Sequence, residues 1–175
     1  MTRTVVIDAS VVVAIVANEP QGPVAAATLA RWATEDVTVV VPSHFWLEVT
    51  NTLLRGKRRA GADVLEAMHS VDQLELTTIE IDRVLLLSAL DIAERHALTT
   101  YDAAYLAVAE STDGSLMTLD KALRSAAGAH AVDIEGRRLS EGPAPYEHEV
   151  TWPRYKGASA FLAKLRAEAR DAAAG

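Results

Sequence analysis

The chain has 175 residues, 50% hydrophobic and 23% charged, with a formal net charge of −7 and no cysteine. That length and balance give one ordinary domain with a full core and room for an appendage, and they exclude a disordered polymer. The missing thiols exclude disulfides, thiolate zinc sites and a cysteine nucleophile, and the acidic total excludes a protein that coats nucleic acid by charge alone.

The start, Met1-Thr2-Arg3-Thr4, runs straight into a strand pattern with no signal peptide before it, and no apolar run is long enough to span a membrane. A reducing, cytoplasmic setting is therefore expected. Thr4 to Ile7 reads as a short β-branched strand and Ser10 to Asn18 as a helix. Pro20-Gln21-Gly22-Pro23 interrupts the chain before a second helix, Val24 to Glu35. Val37 to Val41 is a continuous apolar strand of the buried parallel type, stopped by Pro42. Ser43 is expected to cap a long helix reaching about Arg59, and Gly61 separates it from a helix over Ala62 to Gln73.

Leu76 to Ile79 reads as a weak strand, Asp82 to His96 and Thr99 to Glu110 as helices, and Leu116 to Leu119 as a strand. A short helix, Lys121 to Ala127, and an edge strand, Ala131 to Ile134, follow. Strands alternating with helices predict an α/β fold with a parallel sheet covered on both faces. Composition shifts near Gly136, so residues 1–135 are assigned to a catalytic domain and 136–175 to an extension. In that extension Arg137 to Gly157 reads as loop and Ala158 to Ala172 as a helix. Phe161, Leu162, Leu165 and Ala169 form its narrow apolar stripe, to be packed on the domain itself or, with Trp152 and Tyr155, against a second copy or a partner.

Four carboxylates stand where isolated carboxylates are costly. Asp8 ends the run Val5-Val6-Ile7, Glu48 interrupts Phe45-Trp46-Leu47-Glu48-Val49, Asp102 opens an Ala-rich helix, and Asp120 follows Leu116-Met117-Thr118-Leu119. A carboxylate near a core prefers to be protonated unless something compensates it, and four that converge need a cation. For an all-oxygen set that cation is Mg²⁺ or Mn²⁺, which points to chemistry on phosphate esters. Each acid also has a plain structural explanation. Asp8, Asp102 and Asp120 sit where aspartate caps helices, with Thr99 and Asp102 able to form a reciprocal cap. Glu48 lies mid-helix, where it could pair with Arg55 or lie on a polar stripe with Asn51 and Thr52. Ser10 has no histidine placed to activate it and reads as a helix N-cap beside the metal, a supporting residue of the pocket, as is Asn51. The five histidines show no metal-binding spacing, and no glycine-rich phosphate loop is present. Arg55, Lys57, Arg58 and Arg59 form one basic cluster, either a solvated helix end or a handle for substrate phosphates.

With Asp8, Glu48, Asp102 and Asp120 in this order and these contexts, residues 4 to 134 resemble the PIN-domain ribonucleases, specifically VapC toxins of bacterial toxin–antitoxin pairs. The resemblance implies a three-layer fold with a twisted, mostly parallel five-stranded sheet flanked by helices. It also implies an acidic pocket binding Mg²⁺ or Mn²⁺, RNA cleavage by water, homodimers, and inhibition by a cognate antitoxin. Asp8 and Asp102 would be the nearest ligands, with Glu48 and Asp120 completing the set. The alternatives are a PIN-domain nuclease of RNA processing outside a toxin pair, and a non-catalytic regulator that binds a partner. An aspartyl phosphatase would want an acid where Ser10 stands.

Overall fold

The computed structural model describes residues 3–139. Five strands form one sheet in the order β3-β2-β1-β4-β5, every pair parallel. They are β1 (Arg3–Ile7), β2 (Val37–Pro42), β3 (Thr77–Ile79), β4 (Ser115–Met117) and β5 (Ala131–Val132). Among the described residues seven α-helices connect them: α1 (Ala9–Val16), α2 (Gly22–Thr34), α3 (Phe45–Asn51), α4 (Gly61–Asp72), α5 (Arg83–His96), α6 (Thr100–Ser111) and α7 (Lys121–Ala127). The expected α/β architecture is thus observed. None of these helices is long and apolar enough to cross a membrane.

The middle of the sheet is apolar and fully covered. Val5, Val6 and Ile7 of β1 are fully buried, as are Leu116 and Met117 of the neighbouring β4. A parallel strand covered on both faces has no solvent side, hence the unbroken apolar run. The chain crosses from β1 to β2 in one direction and from β3 to β4 in the other. Right-handed crossovers therefore put α1 and α2 on one face and α5 and α6 on the opposite face. Helix α6 buries Ala103 through Ala109 without interruption, because it lies between the sheet strands β1, β2 and β4 and the outer helix α5. Small alanines let those layers approach closely.

Two local expectations are corrected. Ser43 does not cap a helix: α3 starts after His44 without a side-chain cap, and the Ser43 hydroxyl instead accepts a bond from the Ile81 backbone N–H at 3.4 Å. Nor does one helix run to Arg59. After Asn51 the chain widens into a π-helical turn, Thr52–Gly56, closed by Lys57 N–H donating to Thr52 C=O at 2.9 Å. The turn seats Leu53 fully in the core, and Arg58 then adopts a left-handed φ of 53° that ends the helix.

Residues 136–139, expected in the extension, are bonded to the sheet. Leu139 N–H donates to Ala131 C=O at 3.1 Å, and Arg138 bridges Val132 in antiparallel sense. Gly136 has φ +81°, and a Cβ there would meet Trp32 Cζ2 at 2.5 Å, so only glycine lets this turn close over the buried indole. The remaining extension, including the helix expected over 158–172, lies outside the described residues.

Candidate functional site

In an open parallel sheet, ligands gather beyond the carboxyl ends of the strands, where the strand order reverses. Here the order reverses at β1, whose neighbours are β2 and β4. Ile7 pairs in register with Met117, so the residues just after β1 and just after β4 emerge side by side. Those residues are Asp8 and Thr118. The Asp8 N–H donates to Met117 C=O at 3.0 Å, extending the ladder by one step.

Asp8 caps α1 and is only 4% exposed. Its Oδ2 accepts from the Ser10 hydroxyl at 2.7 Å and from the Thr118 hydroxyl, and its Oδ1 accepts from Ser10 N–H at 3.3 Å. Those hydroxyls are themselves oriented by the strand beyond β4. Ser10 Oγ accepts from Leu119 N–H at 3.0 Å, and Thr118 Oγ1 accepts from Asp120 N–H at 2.9 Å. Ser10 is therefore not a helix cap but a strut between Asp8 and the β4–α7 turn. Burial pushes the Asp8 carboxyl above its ordinary range, the two hydroxyls pull it back in part, and the Asp102 charge pushes it further up.

Glu48 projects from α3, and its Oε2 accepts from the Tyr105 hydroxyl of α6 at 2.7 Å. Burial raises its pKa, the Tyr105 bond opposes that, and the charges of Asp8 and Asp102 reinforce it. The expected alternative partner, Arg55, makes no ion pair with it among the described residues. Asp102 lies in the first turn of α6. Thr99 caps that helix, accepting from Asp102 N–H at 3.1 Å and donating to Asp102 Oδ2 at 2.7 Å. The Thr99 half of the expected reciprocal cap is present, while the Asp102 carboxylate accepts from the Thr99 hydroxyl in place of its backbone N–H, and Asp102 lies within electrostatic reach of Asp8 and Glu48. Asp120 caps α7, its Oδ1 accepting from Leu123 N–H at 2.8 Å.

A cleft of about 350 Å³ opens beside these groups, lined by Ala9, Ser10, Val13, Glu19, Glu48, Thr52, Lys57, Leu119 and Asp120. Asn51, expected to support the pocket, is exposed and does not line it. Thr52 does, because position i+4 from Glu48 shares its helix face more closely than i+3. Of the basic cluster, Lys57 lies on the cleft rim, paired with Glu19. Arg55 and Arg58 are exposed and Arg59 half-buried, with no ion pair among the described residues. A larger open depression of about 760 Å³ lies between α2 and the 135–137 turn. Its polar side chains are spent within the protein: Thr28 on Ile134 C=O, Arg31 on Glu35 and Glu135 C=O, Arg137 on Asp133.

Three residues beside the acids were passed over in the sequence: Thr118, His44 and Tyr105. The His44 ring packs edge-on against Tyr105, with centroids 5.0 Å apart, and tilts against Tyr101 at 5.9 Å. Its Nε2 is buried, has no hydrogen-bond partner among the described residues and lies 3.9 Å from Glu48 Oε2. Burial lowers the pKa of His44, so the contact is a neutral imidazole near a carboxylate rather than a salt bridge. The spacing His44–Glu48, i to i+4, was visible in the sequence; the Tyr105 contact, 57 residues away, was not.

Among the described residues, no three of the Asp, Glu and His side chains are drawn together as a ready-made metal site. Among the described residues Glu48, Asp102 and Asp120 each engage one oxygen with a protein donor and leave the other without one. Asp8, Asp102 and Asp120 have no basic partner among the described residues. All-oxygen acids held by neutral hydroxyls and N–H groups, with spare lone pairs and no compensating lysine or arginine, fit a hard divalent cation.

The sequence matches the model of the PIN domain over residues 5–129. It is similar to Ribonuclease VapC3 of Pyrobaculum aerophilum, with 31% identity over 122 residues, 67% of this chain and 90% of that protein. Among solved structures, a Pyrobaculum aerophilum protein has a TM-score of 0.57 at 24% identity, covering 77% of this chain and 92% of its own. A toxin–antitoxin complex from Klebsiella pneumoniae has a TM-score of 0.53 at 15% identity, covering 74% and 97%.

Proposed function

This chain belongs to the PIN-domain family, and from that membership and the acidic edge of its sheet we propose that it is an endoribonuclease of the VapC type, acting as the toxin of a toxin–antitoxin pair. The similarity to a protein named as a ribonuclease supports RNA as the substrate. One observation carries the reading: Asp8, Glu48 and Asp102 lie within electrostatic reach of one another and Asp120 lines the same cleft as Glu48, with no basic partner among the described residues except His44, 3.9 Å from Glu48.

Asp8, Asp102, Glu48 and Asp120 would hold the cofactor, Mg²⁺ or Mn²⁺. When bound, such an ion polarises a phosphodiester and makes a water acidic enough to attack it. The chain's own residues do the rest. Ser10 and Thr118 keep Asp8 in one rotamer, and Thr99 does the same for Asp102. Lys57 on the rim, with Arg55, Arg58 and Arg59 beyond it, would meet flanking phosphates and set the register of the strand. Water attack leaves a 3′-hydroxyl and a 5′-phosphate. A cytoplasmic setting, a cognate antitoxin that silences the site and a homodimer complete the proposal.

The test is incubation of the purified full chain with end-labelled single-stranded RNA under Mg²⁺, Mn²⁺ or EDTA. Cleavage confined to the metal-containing reactions, with 5′-phosphate ends, is expected. No cleavage with either metal would return the chain to the class of non-catalytic partner-binding regulators.

A further inference from the structure

Tyr105 lies three residues after Asp102 on α6, on the same helix face, and its side chain is fully buried. A buried phenol needs a hydrogen-bond partner, and this one finds it outside its own layer: its O–H crosses from α6 to α3 and donates to Glu48 Oε2 at 2.7 Å. The ring itself is fixed by His44, set edge-on at 66°. Glu48 has no other hydrogen-bond donor among the described residues, since His44 Nε2 at 3.9 Å is beyond bonding distance. Its neighbours Asp8 and Asp102 carry like charge, and its side chain is 34% exposed. Without the phenol, a long and mobile carboxylate would turn away from the other acids.

The donor's chemistry also matters. A lysine or arginine at this position would neutralise Glu48 and compete with a bound cation. A phenol supplies direction without charge and leaves Oε1 unengaged. Resting on the nuclease reading above, we propose that Tyr105 is a positioning residue of the acidic centre: its hydroxyl holds Glu48 through Oε2 and so keeps Glu48 among the acids that would hold a divalent ion. The residue touches neither substrate nor reacting atoms, and acts through Glu48.

The test is Tyr105→Phe in the full chain, which keeps the ring and removes only the hydroxyl. Second-sphere donors of this kind are worth about 10- to 100-fold in metal affinity or activity. Calorimetric titration with Mn²⁺ should therefore show an affinity lower by about that factor. The KM for RNA should change far less than kcat, and the melting temperature in EDTA should stay close to the parent's. Mn²⁺ affinity and kcat both within about twofold of the parent, well inside that range, would overturn the proposal. So would a variant that melts far below the parent and loses metal and RNA binding together, because the phenol would then serve the fold. A parent chain that binds no Mn²⁺ and cleaves no RNA would instead overturn the nuclease reading, and this inference with it.

Discussion

The replacement Asp8→Asn should stabilise the metal-free protein and destabilise it relative to the parent once metal is added. Asp8 is 4% exposed, and burial is the largest influence on it, raising its carboxyl above the ordinary aspartate range. A raised native pKa means that the folded state holds the proton more tightly than the unfolded state. Stability from this group is thus fully present below the unfolded pKa and is lost as pH rises through the folded one. Above that window the folded chain carries an unfavourable buried charge. Asparagine has the same size, is as good a helix cap and still offers an oxygen to the Ser10 and Thr118 hydroxyls. Those bonds weaken when the acceptor is neutral, offsetting part of the relief, so a net gain of about 1–2 kcal/mol at pH 8 is expected. For a chain of this size that corresponds to about 2–8 °C in melting temperature. The difference from the parent should shrink as pH falls towards 4. Saturating Mn²⁺ reverses the order: at a hundred times its dissociation constant a ligand stabilises the binding form by about 2.7 kcal/mol, which the variant forgoes. Thermal unfolding followed by circular dichroism, in EDTA and in Mn²⁺, measures both. A variant melting below the parent in EDTA at pH 8 would refute the view of Asp8 as an uncompensated buried charge.

Other outcomes follow from single contacts. Gly136→Ala should cost about 1–3 kcal/mol, since its Cβ would fall 2.5 Å from Trp32 Cζ2 at a φ of +81°; an unchanged melting temperature would contradict the packing of this turn on the indole. Leu53→Ala, at a fully buried position on the π-helical turn, should lose about 2–5 kcal/mol in chemical denaturation, and a loss well under 1 kcal/mol would mean that the turn does not seat it in the core. Replacing Lys57, Arg58 and Arg59 together with alanine should weaken RNA binding and flatten its salt dependence by about one unit of slope per lost phosphate contact. An unchanged slope would make this cluster ordinary solvated surface.

The parts of the fold written in local pattern were legible from the sequence. The run Val5-Val6-Ile7 fixed the buried central strand, and the alternation of strands and helices fixed the parallel sheet. Asp8 and Asp120 could be placed at its carboxyl edge because each follows such a strand. What depended on tertiary partners was not legible. The widening after Asn51 serves Leu53 in the core, and no local residue announces it, so the helix was expected to run on to Arg59. Ser43 has the chemistry of a cap, yet its hydroxyl is drawn to Ile81 across 38 residues. The neutral donors of the site were hidden for the same reason: Thr118 meets Asp8 across 110 residues and Tyr105 meets Glu48 across 57. Acids stand out against an apolar background, whereas the hydroxyls that aim them look like any other residue of a strand end or helix.

Calorimetric titration of Mn²⁺ into the metal-free full chain and into its Asp8→Asn and Asp102→Asn variants decides whether these carboxylates form one divalent-metal site. Saturable binding to the parent and none to either variant is expected, with both variants still folded. Undiminished Mn²⁺ affinity in both variants would contradict such a site.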